Sequence, residues 1–188
     1  MSIDKRNWTV LLIGGSSGTG KSSLAYELAK YYGVSVLEID DITEAVKAVT
    51  TEVHLPAIHS DNFGDAGVDG NVSWLIDVSK ELLPALKAVV DRHIEDNLPV
   101  IIEGDFIHPE LMAAFNGPEV KAIIIQESKE QIVQNFLSRE GGSPQNYRAD
   151  ISTGYGEWIC DTCVKFGIGL IEARPWDTSV DRAVEYLR

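Results

Sequence analysis

One glycine-rich segment constrains the fold of this chain more than any other feature. Residues 14–23 read Gly-Gly-Ser-Ser-Gly-Thr-Gly-Lys-Ser-Ser and contain the pattern Gly15-x-x-x-x-Gly20-Lys21-Ser22. An apolar run precedes the segment and a helical pattern follows it. Glycines let the backbone curl until successive N–H groups face one point, and the helix N-terminus adds positive potential there. The segment therefore predicts a strand–loop–helix unit that binds phosphate.

This loop has the spacing of a Walker A motif, in which the backbone surrounds the phosphates of a nucleoside triphosphate. Lys21 is predicted to reach the β- and γ-phosphates, and Ser22 to ligate Mg²⁺. A glycine-rich turn before an ordinary helix is the structural alternative. The predicted nucleotide-binding residues of the loop are Gly15, Ser16, Ser17, Gly18, Thr19, Gly20, Lys21, Ser22 and Ser23.

Length and charge limit the classes of partner. The 188 residues fit one domain, and the formal net charge of −13 repels nucleic acid and anionic membranes. A small-molecule ligand is therefore favoured. The first residues lack a signal-like apolar region, and the first strand is too short to span a bilayer, so a soluble cytoplasmic protein is expected.

Short apolar runs alternate with helical patterns along the chain. This alternation predicts an α/β fold, a parallel sheet covered by helices on both faces. Strands are predicted at 8–13, 35–39, 99–103, 120–126 and 168–172, and helices at 21–32, 41–49, 74–97, 129–138, 151–166 and 179–187.

Two stretches interrupt this alternation and are predicted to be loops. Residues 50–72 are rich in Gly, Asp and Asn, and residues 140–150 contain Gly-Gly-Ser-Pro. Both flank expected strand carboxyl ends, where such sheets bind ligands. We therefore expect a binding segment within about 41–97 and a lid at about 139–150, with plain surface insertions as the alternative.

Carboxylates follow the second and third predicted strands. Asp40 is predicted to accept a proton from an acceptor hydroxyl or to hold a Mg²⁺-bound water, whereas Asp41 is expected mainly to cap the next helix. Glu103 is predicted to hold the magnesium shell and Asp105 to face the acceptor.

Three arginines are candidates for contacts with the nucleotide. Arg139 and Arg148 frame the predicted lid, where a guanidinium can neutralise charge on a transferring phosphate. Arg174 precedes Trp176 in a turn after the last strand, and this turn is predicted to line the nucleotide base. Packing in the core is the alternative for Trp176. Cys160 and Cys163 lie one helical turn apart and are interpreted as structural.

The segment after Asp41 is poor in cations. Between Asp41 and Lys80 the sequence contains no arginine and only Lys47 as an interior lysine. A phosphate-bearing acceptor would find little charge complementarity there unless folding brings in an arginine such as Arg92. The pattern favours an uncharged or cationic hydroxyl compound. Candidates to line its site are His59, Phe63 and Trp74, with packing as the alternative for each.

Taken in order, these elements resemble the nucleoside and nucleotide kinase branch of P-loop proteins. The loop, Asp40-Asp41 and Ile101-Ile102-Glu103-Gly104 are similar to uridine or nicotinamide riboside kinases and to 2-phosphoglycerate-kinase-like proteins. The resemblance implies a P-loop NTPase fold with a five-stranded sheet in the order 2-3-1-4-5, and a lid. It also implies ATP with Mg²⁺ as phosphoryl donor, Asp40 as the acceptor-activating residue and Arg139 or Arg148 as the lid arginine.

Two other classes of nucleotide-binding protein are weighed against a small-molecule kinase. A GTPase needs Asp-x-x-Gly after a strand and Asn-Lys-x-Asp for guanine. Residues 61–64 fit the first pattern without a preceding strand, and the second pattern does not occur in the sequence. A nucleotide-binding ATPase or regulator without a small-molecule acceptor stays open, because the loop alone does not specify what happens to the nucleotide.

Overall fold

A parallel sheet forms the centre of the molecule. The structure is a computed structural model and describes residues 6–60, 66–115 and 117–188. Within these residues five strands, numbered β1 to β5 in chain order, form one all-parallel sheet in the order β2-β3-β1-β4-β5, which confirms the order that the family resemblance implies. The strands are β1 Val10–Gly14, β2 Ser35–Glu38, β3 Val100–Glu103, β4 Val120–Gln126 and β5 Gly169–Glu172.

The central strand is buried along its whole length. Every residue of β1 is buried because strands pair with both of its edges and helices cover both of its faces. Its register places Ile13 beside Glu103 of β3, and Glu103 lies beside Glu38 of β2. Since parallel strands end at the same sheet edge, the glycine-rich loop and these two carboxylates emerge together.

Helices cover the two faces of the sheet and form two apolar clusters. The helices are α1 Lys21–Tyr32, α2 Ile39–Val49, α3 Pro56–His59, α4 Gly67–Glu95, α5 Pro109–Met112, α6 Lys129–Glu140, α7 Asn146–Phe166 and α8 Ser179–Leu187. Leu12 and Ile102 face the cluster under α2, α4 and α7, whereas Leu11 and Ile101 face the cluster under α1 and α8. This alternation follows from the two-residue period of a strand.

Both predicted loops are shorter in the structure than the sequence suggests. Helix α4 begins at Gly67, seven residues before its predicted start, and α7 begins at Asn146, five residues early. Tertiary packing outweighs the local glycines and asparagines: Asn71 is 1% exposed, and Gly154 of α7 lies closely against Val68 of α4. Residues 61–65, which include the Asp-x-x-Gly pattern and Phe63, lie outside the described residues.

Helix α2 begins earlier than predicted, and this corrects the interpretation of Asp41. The structure starts the helix at Ile39, directly after β2, with Glu38 at the N-cap. Asp40 and Asp41 both lie in the first turn, where their negative charge interacts favourably with the helix dipole. Asp41 is therefore not the capping residue.

The two cysteines lie on α7, as free thiols. Cys163 is buried, and the half-buried Cys160 donates its thiol hydrogen to Oε1 of Gln126 over 2.8 Å. Burial raises the pKa of both thiols, that of Cys163 to about 11, so both favour the less reactive protonated form. Among the helices of the described residues, none has the length and apolar character needed to cross a membrane.

Candidate active site

The glycine-rich loop has a geometry that only glycine permits at three positions. Gly15, Gly18 and Gly20 have φ values of 141°, 83° and 93°. Each is also packed closely: a Cβ on Gly15 would lie 2.3 Å from the Ile125 carbonyl oxygen. A Cβ on Gly18 or on Gly20 would lie 2.9 Å from the Phe136 ring or the Trp176 ring, respectively. The loop conformation is thus required by both backbone angle and space.

Hydrogen bonds from residues of the loop and of α1, and from a residue of α6, hold this loop in place. Lys21, the first residue of α1, is 6% exposed and donates to the Ser16 carbonyl oxygen over 3.0 Å. Thr19 Oγ1 donates to the same carbonyl over 2.9 Å. From α6, Asn135 Nδ2 donates to the Gly18 carbonyl oxygen over 2.7 Å. These bonds hold the loop carbonyls on the protein side, which leaves the other side of the loop for a ligand.

A cleft of about 760 Å³ opens beside the loop, and most of the predicted site residues line it. Two residues of the loop, Gly15 and Ser16, line a second cavity of about 450 Å³ instead. The predicted residues that line the main cleft are Ser17, Gly18, Thr19, Gly20, Lys21, Ser22, Ser23, Asp40, Glu103, Asp105, Arg139, Arg148 and Arg174.

Carboxylates form the wall of the cleft next to Lys21. Asp105 forms an ion pair with the Lys21 ammonium group. Asp40 is accessible to solvent, but the walls of the cleft surround it; this partial desolvation, and then the charge of Asp105, raise its pKa. Glu103 is 3% exposed, and burial raises its pKa although the Ser22 hydroxyl and Lys21 oppose the shift. A raised pKa suits a carboxylate that takes up a proton.

Ser22 and Glu103, the two residues predicted to hold magnesium, are neighbours in the structure. The Ser22 hydroxyl interacts with the Glu103 carboxylate, so the two oxygen ligands lie side by side at the cleft. In the described ranges no group of three His, Cys, Asp or Glu side chains is arranged to hold a metal ion alone. This donor set fits a hydrated Mg²⁺ that obtains its remaining ligands from nucleotide phosphates.

Two arginines lie at the opposite wall of the cleft. Arg139 lies in the last turn of α6 and Arg148 in the first turn of α7, so both are on helices and only residues 141–145 form the loop between them. Both donate to Glu140, Arg148 over 2.8 Å. The hydrogen bond from Gln145, followed by those from the two arginines, lowers the pKa of Glu140 to about 2. The Arg148 guanidinium carbon lies 4.2 Å from the Phe136 ring centroid.

The turn after β5 completes the cleft near the loop. Arg174 Nε donates to Oε2 of Glu127 over 3.1 Å, and the Glu127 side chain is 7% exposed. Trp176 packs against Gly20 and also lines the cleft. Trp176 is therefore both a packing residue and part of the cleft wall, and its contact with a nucleotide base stays a prediction.

Comparison with known proteins agrees with this architecture. The chain is 25% identical over 189 residues to a 2-phosphoglycerate kinase of Pyrococcus horikoshii, covering 94% of this chain and 63% of the relative. A gluconokinase structure from Sinorhizobium meliloti covers 97% of this chain and 93% of its own, at 16% identity and a TM-score of 0.56. A shikimate kinase structure from Bacteroides thetaiotaomicron covers 95% and 98%, at 16% identity and 0.55.

The chain has the fold of P-loop small-molecule kinases. The predicted resemblance to 2-phosphoglycerate kinases is confirmed at the level of sequence similarity. The chain spans 63% and 60% of the lengths of two such relatives. No protein-family model matches it.

Within this fold, the structure does not bring two predicted acceptor-site residues to the cleft, nor Arg92, the arginine considered as a possible contact for a phosphate-bearing acceptor. His59 Nε2 hydrogen-bonds with Thr50 Oγ1 over 3.0 Å and does not line the cleft. Trp74 donates to the Ala57 carbonyl oxygen over 2.9 Å and packs edge-on against Phe106, so it is a packing residue. Arg92, on α4, forms an ion pair with Asp96 instead of reaching the cleft.

Sequence reasoning missed several residues that shape this cleft. Glu38, Glu127, Asn135 and Phe136 all line it. The position of Glu38 at the end of β2 is a signal that would have found it, because that strand end was already predicted to face the loop. The other three become relevant only when α6 and the carboxyl end of β4 fold against the loop, and no local motif marks them.

Proposed function

We propose that this protein transfers the γ-phosphoryl group of ATP to a hydroxyl group of a small molecule. The observation that carries the proposal is the arrangement of one cleft: the Walker A loop with Lys21 at its base, Asp40 and Asp105 on one wall, and Arg139 and Arg148 on the other. This arrangement combines a phosphate cradle, a proton acceptor and cationic groups for the transferring phosphate.

The donor phosphates fit the loop side of the cleft. Backbone N–H groups from Ser17 to Ser22 and the start of α1 provide hydrogen bonds and positive potential, and Lys21 adds a full charge. A Mg²⁺ ion held by Ser22, with Glu103 in its shell, would supply charge neutralisation between the β- and γ-phosphates. Arg174 and Trp176, which line the same cleft, are the proposed contacts of the nucleoside.

Asp40 is the proposed proton acceptor. An acceptor hydroxyl that lies between Asp40 and the γ-phosphate passes its proton to the carboxylate, and its oxygen forms the new bond to phosphorus. The bond between that phosphorus and the β–γ bridging oxygen breaks, and ADP leaves. Arg139 and Arg148 stabilise the charge on the transferring group and help exclude water when residues 139–150 close over the cleft.

The negative charge of the cleft wall next to Lys21 favours an acceptor without a phosphate. Glu38, Asp40 and Asp105 face the cleft there, and among the described residues of that wall Lys21 is the one cation, already paired with Asp105. Residues 61–65, Asp-Asn-Phe-Gly-Asp, contain no Lys or Arg. We therefore propose a nucleoside, sugar or similar hydroxyl compound. The relatives named 2-phosphoglycerate kinase make 2-phosphoglycerate the first anionic acceptor to test against this class.

The test is ADP release from Mg-ATP by the purified protein, with and without nucleosides, sugars, amino-alcohols, hydroxy acids and their phosphates. Stimulation by one compound establishes transfer and identifies the acceptor. A hit with 2-phosphoglycerate would overturn the argument from charge but not transfer itself. ATP binding without stimulation by any acceptor would contradict the proposed transfer and favour a regulator.

Two variants, each with a matched control, test the proposed roles of Lys21 and Asp40. Lys21→Ala should abolish transfer, and Lys30→Ala, an exposed lysine at the far end of the same helix, should retain it. Asp40→Asn should lower kcat by about 10²- to 10⁴-fold, as expected for loss of a general base. Asp41→Asn, which changes the exposed neighbouring carboxylate outside the cleft, should leave kcat within about twofold of wild type if proton transfer depends on Asp40.

A further inference from the structure

A buried tyrosine on α7 contacts the loop that carries Asp105. Tyr155 is 1% exposed, and its hydroxyl donates to the main-chain carbonyl oxygen of Asp105 over 2.9 Å. The ring stacks on Trp158, with centroids 5.9 Å apart and an angle of 8° between the planes. Trp158 in turn packs edge-on against the buried His108. This packing fixes the ring, so the position of the hydroxyl is fixed as well.

Asp105 needs such support because it follows an unusual turn. Gly104 has a φ of 153°, and the turn lies so close to α2 that a Cβ on Gly104 would be 2.0 Å from Cγ2 of Ile39. The carbonyl that Tyr155 holds belongs to the residue after this turn. Holding that carbonyl limits rotation of the Asp105 peptide group and therefore limits where its carboxylate points.

The Asp105 carboxylate is the ion-pair partner of Lys21. The Lys21 ammonium group has three donors, and it contacts Asp105 and the Ser16 carbonyl oxygen. A nucleotide phosphate that binds this loop recruits the same ammonium group. The Asp105 carboxylate offsets the positive charge that the phosphate would use and repels the phosphate itself, so the strength and position of the ion pair affect how tightly the loop binds phosphate.

We propose that Tyr155 is a positioning residue that acts through the Asp105 carbonyl: it sets the Asp105–Lys21 ion pair and thereby the affinity of the loop for nucleotide phosphates. The same helix carries Arg148 seven residues earlier, about two turns away. Helix α7 thus carries one cleft residue, Arg148, and also contacts the segment of a second, Asp105. The proposal rests on nucleotide binding at this loop, and it does not require that an acceptor be known.

The experiment is a double-mutant cycle on nucleotide affinity, measured by titration calorimetry with Mg²⁺ and the non-hydrolysable ATP analogue AMP-PNP. Asp105→Asn should bind the analogue about fivefold more tightly, the equivalent of roughly 1 kcal/mol for a partly buried ion pair. Tyr155→Phe removes only the hydroxyl and should tighten binding by about two- to threefold. The double variant should bind as Asp105→Asn does, because both changes act through one contact.

A control separates positioning from stability. Val90→Ala creates a small cavity in the core under α4, away from the cleft, and should lower the urea midpoint without changing the affinity for AMP-PNP. Tyr155→Phe with wild-type affinity, or affinity changes that add in the double variant, would overturn the proposal. These results leave acceptor-dependent turnover untouched, so phosphoryl transfer can fail while the cycle succeeds, or the reverse. Absence of AMP-PNP binding by the wild-type protein would overturn both.

Discussion

His108 should make the stability of this protein depend on pH between about 7 and 4. Its side chain is 2% exposed, and Nδ1 accepts the Leu111 N–H at the start of α5 over 3.4 Å. Nε2 has no hydrogen-bond partner within the described part of the chain. Burial, with a smaller effect of the nearby Lys80 charge, lowers the pKa of His108 from 6.5 to about 4. The folded protein therefore keeps this imidazole neutral where the unfolded chain protonates it.

The sign and size of the effect follow from proton linkage. Well above pH 6.5 the group is neutral in both states and has no effect on the free energy of unfolding. As the pH falls from 6.5 towards 4 the unfolded chain binds the proton first, so the protein loses stability. The difference between the two pKa values lowers the free energy of unfolding by ~3 kcal/mol once both states are protonated, and by about 2 kcal/mol at pH 5.

The assay is urea unfolding followed by circular dichroism at pH 7.5 and pH 5.0, for wild type and His108→Asn. Asparagine keeps an oxygen that can accept the helix N–H, so the cap is retained while the titration is removed. The raised pKa values of Asp40 and Glu103 act with the opposite sign but are common to both proteins. The wild type should lose about 2 kcal/mol more than the variant between the two pH values. Equal losses, within about 0.5 kcal/mol, would refute the reasoning.

Two further changes test the architecture of the cleft. Gly104→Ala should lower the free energy of unfolding by about 3 kcal/mol, because the new Cβ would lie 2.0 Å from buried Ile39 and the φ is 153°. Gly33→Ala, with φ of 70° and open space around the new Cβ, should cost only about 1 kcal/mol in the same urea titration; equal costs would rule out the clash. Asn135→Ala removes the 2.7 Å bond to the Gly18 carbonyl and should weaken AMP-PNP binding by about three- to tenfold. Gln134→Ala, an exposed neighbour, should bind normally in the same calorimetric titration, and equal weakening would show that the bracing of the loop is unimportant.

Strand positions were the most predictable part of the structure. Runs such as Val100-Ile101-Ile102 are apolar without alternation, which is typical of strands buried on both faces, and the predicted strands agree with the observed ones within two residues at either end. Helix starts were less predictable. Gly67 and Asn146 begin helices because α4 and α7 pack against each other and the sheet, and this packing offsets their poor helix propensity.

The sequence by itself determined the phosphate loop, the sheet and the edge at which Asp40, Glu103 and Asp105 emerge. These features follow from local rules: glycines with positive φ, the period of apolar residues and the common direction of parallel strands. Only the tertiary structure decided that Asp105 pairs with Lys21, that Tyr155 holds the Asp105 carbonyl, and that His59 lies away from the cleft. Each of these depends on contacts between segments far apart in the chain or on the direction in which a helix is packed, and no local pattern encodes either one.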